Sequence, residues 1–393
     1  MRMKSMLMGK TLKKTIYFMM LGIYTFSIST FVASAEELEK GIETSFTHPG
    51  LLHSKEELDF LKEQLAEQRE PWTAAWNDLL KHDESSLDYQ PNSHADVVRG
   101  PSNRPDIGSS NLTHDASAAY VHALQWVLTD KQEHAQKVIE ILRAWSSTLK
   151  SVSGHDAKLL IGFEMVKLCN AAELVKHSDA KWPEAEQKQF EEMLRKVLYP
   201  VIKDFYPSAN GNWDASMIQS MIAMGIYLDD HEVFNRAVAY YQNGKGNGRV
   251  THYINDIGQC QESGRDHLHV QMGLGYLGVA CEMAWKQGVD LYGVADNRLA
   301  LGFEYTAKYN LGEDVPFKDY ISFEGRYKHY KMSRRGRGRF RPIYERIYHH
   351  YVKRKGMELP WTQKVVEKRQ PEKEHSQHIS WGSLTAYGMP TVK

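Results

Sequence analysis

Cysteine is scarce. Cys169, Cys260 and Cys281 are the only three in 393 residues, an odd count with no Cys-x-x-Cys pair, which excludes a disulfide framework and a zinc ribbon. Each lies in an apolar pattern and reads as a small core residue. Net charge is missing too: 49 basic and 49 acidic side chains balance, so the basic excess of a nucleic-acid binder is absent, although that balance is compatible with a local basic cleft for an anion. Strand signals are few, with no sustained apolar–polar alternation and no Asn-Gly hairpin between β-branched runs, which argues against an all-β fold. No repeat period of the tetratricopeptide or ankyrin kind is present, which argues against an open array. Beyond residue 35 no apolar run approaches the length of a membrane span.

The one long apolar run, "IYFMMLGIYTFSISTFVASA" (16–35), follows Lys10, Lys13 and Lys14 and ends in the small residues Ala33-Ser34-Ala35. A membrane anchor is the competing reading. The small-residue site and the acidic "EELEK" after it favour a cleaved signal peptide over 1–35, hence a periplasmic or secreted protein with no stable membrane partner after signal removal. Helical periodicity dominates after residue 53. Ser54 with Glu57 forms a capping box ahead of Leu58, Leu61 and Leu65, and Pro71 opens a helix carrying Trp72 and Trp76. Further helices are expected over 115–129, 132–147, 157–177, 184–203, 214–228, 231–242, 265–287, 296–310 and 342–355. Helices on short loops without a strong linker predict one all-α domain over 36–370, with hairpins closing into an (α/α) toroid or incomplete barrel, and a loosely ordered tail over 371–393. Two segments break the pattern. Residues 83–115 form a long polar stretch rich in Pro, Gly, Ser and Asn that suits a functional loop. The run "KMSRRGRGRFRP" (331–342) is basic and Gly-interrupted, and suits either a polyanion or solvent.

"QESGRDHLHVQMG" (261–273) concentrates the chemistry. At 100° per residue Glu262, Arg265, Asp266 and His269 share one helix face, while His267 points away. That face reads either as a buried ion-pair network or as part of a catalytic site. Metal ligation is weak, because His267-x-His269 splays the imidazoles and neither a His-Glu-x-x-His nor an EF-hand ligand set occurs; no cofactor is expected. "ANGNWDAS" (209–216) sets Asn212 at the mouth of a helix, either as a plain cap or as a site amide, and Trp72, Trp76 and Trp213 are candidates for sugar-stacking faces, with Trp76, at helix spacing from Trp72, reading better as core. "RPIYERIYHHY" (341–351) adds Tyr344, Tyr348 and Tyr351. Amide, imidazole, guanidinium and phenol together suit β-elimination from an anionic uronic-acid polysaccharide. There the carboxylate must be neutralised, for which Asn212, a protonated Glu262 and His269 are donors, before a base takes the C5 proton and an acid protonates O4. A glycoside hydrolase with a carboxylate pair would lack a clear partner for Glu262. A non-catalytic envelope glycan-binding protein is the third reading.

The segments "QESGRDHLHVQMGLGYLGVACEMAWKQGVDLYG" (261–293), "EYTAKYNLGEDVPF" (304–317) and "GRFRPIYERIYHHY" (338–351) resemble the alginate-lyase-domain polysaccharide lyases, in particular the glucuronan- or alginate-cleaving branch, over most of residues 47–360. The resemblance implies an exported (α/α) toroid that cleaves a polyuronate by elimination, with a catalytic tyrosine and Asn, His and Arg neutralisers. On that match Asn212 is the neutralising asparagine, and Glu262 and His269 are the acid and histidine of the motif. Arg265, Arg339 and Arg341 are expected to bind substrate. The pattern departs at the tyrosine. Trp213, rather than His, follows Asn212; Asp266, rather than Gly, follows Arg265; and no tyrosine precedes Tyr276 in that helix. The base is therefore expected from the later segment, Tyr344 beside Arg339 and Arg341 first and Tyr327 second, unless His269 replaces it.

Overall fold

The computed structural model describes residues 45–390, so the signal segment lies outside the described residues. The first hairpin forms where local sequence demands it. Ser54 caps α1 (Lys55–Ala66) by accepting from the Glu57 amide, and the Glu57 carboxylate accepts from the Ser54 amide; α2 (Trp72–Leu79) starts directly after Pro71. A short sheet follows, in which β1 (Asp96–Arg99) pairs antiparallel with β2 (Asp106–Ile107) and parallel with β3 (Ser151–Ser153). It ties the polar 83–108 stretch to the connection between α4 (Gln132–Thr148) and α5 (Ala157–Lys176).

The remaining helices sort into two layers by their sequence pattern. The helices α3 (Ser109–Thr129), α5, α8 (Gly211–Tyr227) and α11 (His267–Lys286) pack side by side in succession as the inner layer, and they are buried nearly all round. In α8 only Trp213 escapes burial. The outer helices α4, α6 (Glu184–Met193) and α9 (His231–Asn243) bury one stripe each, such as Val233, Phe234, Ala237, Val238 and Tyr241 in α9. A helix apolar on every side needs neighbours on every side, whereas an amphipathic one needs a single face covered. Those two patterns together give a toroid of helical hairpins. With all three cysteines free and buried, the fold is held by this core, and truncating a fully buried residue such as Ile222 to Ala should cost about 2–5 kcal/mol.

A π-helical turn and the short α7 (Tyr199–Ile202) continue α6; α10 (Val250–Tyr253) precedes the 261–273 segment. After α12 (Val294–Asn310) come the hairpin β4 (Tyr320–Ile321)–β5 (Lys328–His329), α13 (Tyr344–Tyr348) with a π-helical extension to Arg354, α14 (Pro360–Arg369) and α15 (Gly382–Thr385). The expected loose tail is instead a packed closure, and residues 45–390 form one unit. Trp381 is buried, the Ser383 hydroxyl donates to Glu345 Oε1 (2.8 Å), and the Trp72 indole donates to the Tyr387 carbonyl (3.2 Å). The chain end thereby joins the first hairpin to the last helices. Lys286 from α11 reinforces the join by donating to Glu57 Oε1 at 2.5 Å. Among the described residues no helix is long and apolar enough to cross a membrane.

Candidate active site

Inner helices α5, α8 and α11 all begin at one groove, with a cavity volume of about 480 Å³. Aligned helix starts carry partial positive charge and suit an anion. The 261–266 segment is a turn rather than the expected helix: α11 begins at His267, and Asp266 caps it by accepting from the Leu268 (3.0 Å) and His269 (2.9 Å) amides. Gln261 clamps this turn to the start of α8, accepting from the Gly211 amide (2.8 Å) and donating to Asn210 Oδ1 (3.0 Å). Gly211 is required there, because a β-carbon would lie 2.4 Å from the Asn247 carbonyl oxygen.

The clamp presents Asn212 to the groove. Its side chain is buried, yet neither Oδ1 nor Nδ2 has a protein partner. A buried carboxamide left wholly unpaired costs stability unless a ligand satisfies it, which marks a binding position. Beside it, His269 Nδ1 lies 2.6 Å from Asp266 Oδ2 and Nε2 lies 3.2 Å from Arg265 Nη2. Arginine can only donate, so Nε2 is the acceptor and Nδ1 carries the proton. Burial works against the Asp266 carboxylate, but the bonds from His269 outweigh it and hold its pKa well below the usual range. Arg265 is fixed from beneath by Glu262 Oε1 at 2.6 Å.

Arg341 enters from the basic segment. Its Nε donates to the Leu268 carbonyl (3.1 Å) and its amide to Gln271 Oε1 (3.0 Å). Tyr327 is supplied by the β4–β5 hairpin, where the Ser322 hydroxyl accepts from its amide (2.9 Å). The guanidinium of Arg326 stands 5.4 Å from the Tyr327 ring centroid and 6.0 Å from that of Tyr206.

This groove lies mainly on the part of the chain that carries a family signature. The alginate lyase family profile matches residues 54–316, well over half of the chain. The chain belongs to the alginate lyase family. It is thus a carbon–oxygen lyase acting on polysaccharides. The alginate lyase A1-III from Sphingomonas species A1 superposes with a TM-score of 0.66 at 14% identity, over 88% of this chain and 98% of that one. An alginate lyase from Bacteroides ovatus gives 0.61 at 14% identity over 84% and 98%. A variant of the A1-III enzyme complexed with a tetrasaccharide gives 0.61 at 13% over 88% and 97%. At such identities the likeness is one of fold. Comparison with curated protein sequences gives no match.

Of the lyase residues expected from sequence, the groove gathers Asn212, His269, Arg265, Arg341 and Tyr327. It does not gather the other three. Tyr344 is 1% exposed, its hydroxyl donating to Gln271 Oε1 (3.2 Å) and its ring against Phe303 and Phe340; burial pushes its pKa far up. It is a core tyrosine. Glu262 is sealed under Arg265 and Tyr253; burial raises its pKa while Arg265 pulls it back, so it positions Arg265 and does not face substrate. Arg339 is exposed outside the groove lining, and its carbonyl accepts from Gln271 Nε2 (2.8 Å). Trp213 lines the groove, whereas Trp72 packs against Phe60 and Tyr387.

The polar lining residues that sequence did not single out include Arg99, His155, Asp156, Tyr206, Arg326 and Gln377. Arg99 lies in the polar loop already marked as functional, and its Nη1 is buried without a partner. Tyr206 is held by Asp214, whose Oδ1 accepts from the Tyr206 amide (2.7 Å) and whose pKa burial raises to about 6. Among the described residues one His and carboxylate group has metal-ligand spacing, His48, Glu173 and His177. The rings of His48 and His177 stack 4.3 Å apart at 8°, so their in-plane lone pairs run side by side and do not meet at one point. His48 instead bridges Glu173 Oε1 (2.8 Å) and Asp229 Oδ1 (3.2 Å); burial opposes its charge, but those two carboxylates raise its pKa.

Proposed function

We propose that the protein is an exported lyase that cleaves a polyuronate, alginate or glucuronan, by β-elimination, and that it serves carbohydrate degradation in the periplasm or outside the cell. The observation that carries the reading is the unpartnered, buried Asn212 amide in a groove that also holds Arg99, Arg265 and Arg341. A uronate carboxylate bound there meets a neutral donor and guanidinium charge, which stabilises the enolate-like intermediate formed when C5 loses its proton. Tyr327 is the candidate base: it takes the C5 proton, the C4–C5 double bond forms, the C4–O4 bond breaks, and a phenol returns a proton to O4. Arg326 sets positive charge where phenolate charge develops. Tyr206, the other tyrosine lining the groove, is the second candidate for either proton. A carboxylate-pair hydrolase is disfavoured, since Asp156 is the only acid among the lining residues and Glu262 is covered.

The test is ultraviolet absorbance of the mature chain with alginate blocks, glucuronan and hyaluronan, with and without EDTA. Growth of an unsaturated-uronate signal is expected, and Asn212→Ala should lower kcat/KM by about 10²–10³ with little change in Tm, because the amide makes no bond within the fold. Release of reducing ends without that absorbance would sink the elimination reading.

A further inference from the structure

The groove has two origins. Asn212, Arg265 and His269 lie within the family segment 54–316, whereas Arg326, Tyr327, Arg341 and Gln377 lie beyond it. The furthest of these, Gln377, belongs to the closing segment that sequence alone suggested would be loose. Its neighbours on both sides are fixed. On the N-terminal side the Glu372 carboxylate accepts from the Tyr344 (2.7 Å) and Glu345 (3.2 Å) amides, and the buried Lys167 on α5 donates to the Ser376 carbonyl. On the C-terminal side the His378 ring is buried against Tyr276 of α11, 5.1 Å between centroids, and Ile379 and Trp381 are buried. Within the segment, the His375 amide donates to the Ser380 hydroxyl at 2.9 Å and the His378 amide to the His375 carbonyl at 2.8 Å. Gln377 spends only its backbone N–H, on His375 Nδ1 (3.2 Å), so its carboxamide stands half-buried at the groove on a rigid mount.

Chemistry separates its task from that of the guanidiniums. A carboxylate is served by Arg99, Arg265 and Arg341. A neutral carboxamide, donor and acceptor at once, matches a hydroxyl. Polyuronates of the same composition differ in the configuration of ring substituents, so a fixed group that bonds a hydroxyl in one orientation and is left unpaired by another discriminates between them. We infer that the C-terminal segment is part of the substrate site and that Gln377 is a specificity-determining residue, reading a sugar hydroxyl next to the uronate held at Asn212. The inference rests on the proposed polyuronate activity.

The experiment compares wild type, Gln377→Ala and Gln377→Glu on mannuronate-rich alginate, guluronate-rich alginate and glucuronan, measuring kcat and KM on each, with Tm as a folding control. The expected result is an unchanged Tm and a shift of tenfold or more in the ratio of kcat/KM between the preferred and the next polymer. The loss should fall on the preferred polymer and mainly in KM, and it should be larger for Gln377→Glu, whose added carboxylate repels the substrate. Equal kcat/KM ratios in all three proteins would overturn the role of Gln377 while leaving the elimination reading intact. A wild type inactive on every polymer would remove both, and a fall in Tm with a uniform loss on all polymers would make Gln377 structural.

Discussion

Tyr327 and Tyr344 make opposite demands on an experiment. Tyr344→Phe removes one buried hydrogen bond to Gln271 and should cost about 1 kcal/mol in stability with kcat near wild type, whereas Tyr327→Phe should keep Tm and lose turnover by two orders of magnitude or more. Tyr206→Phe, measured alongside, shows which phenol serves O4. Sequence made Tyr344 the stronger candidate because it stands beside Arg339 and Arg341. A tyrosine at helical spacing near arginines reads the same whether it packs or catalyses, and only tertiary contacts show that Arg341 reaches the groove past Leu268 while Tyr344 packs on Gln271 and Phe303. Asn212, Arg265 and His269 were legible because each sits at or just before a helix start with an unusual density of polar groups. Tyr206 and Gln377 were not, since nothing local to them signals that distant segments converge on one groove, and Arg99 was covered only by the general reading of the polar 83–115 stretch.

Among the elements, the closing segment has its own pH response. Glu345 and Glu372 are buried together where it meets α13; burial and, for Glu345, the neighbouring Glu372 raise both pKa values well above the ordinary 4.5, with Arg346 and Arg369 opposing this at Glu372. The folded chain then keeps protons that the unfolded chain releases above about pH 4.5. Stability should therefore fall as pH rises from that value toward and past neutrality, and level off once the folded pair has ionised. Glu345→Gln, which retains an acceptor for Ser383 and Gln370, should flatten the fall and raise Tm at pH 8.5 relative to wild type. Chemical denaturation at pH 5, 7 and 8.5 checks this; an unchanged slope would show that the pair does not titrate with folding. The sequence offered no hint of the device. Its two acids lie in separate segments, and the one that carries Glu372 was expected to be loosely ordered.

Across the whole molecule, local charge and net charge part company. The formal charge is zero, yet the groove lining sets Arg99, Arg265, Arg326 and Arg341 against the single carboxylate of Asp156. KM for a polyuronate should rise as ionic strength goes from about 0.05 to 0.5 M, because screening shortens the reach of the groove's guanidiniums, while Tm, set by the apolar core, moves little. An assay in graded NaCl tests this, and a salt-independent KM would deny the basic groove a role in binding. The toroid itself was readable from successive helical periods on short loops, with no strong linker and no fixed repeat period. The contact between its two ends was not, since the partners Trp72 and Tyr387 lie at opposite ends of the described chain.

The convergence of α5, α8 and α11 on one opening has a further consequence. Three helix starts at one opening add backbone dipoles to its side-chain charge, and no single substitution erases a peptide dipole. Side chains around the opening are thereby freed to drift, to swap one proton carrier for another, or to change which sugar they favour. A fold shared at 14% identity with the Sphingomonas enzyme fits that freedom: the backbone frame is kept while most of the side chains on it differ.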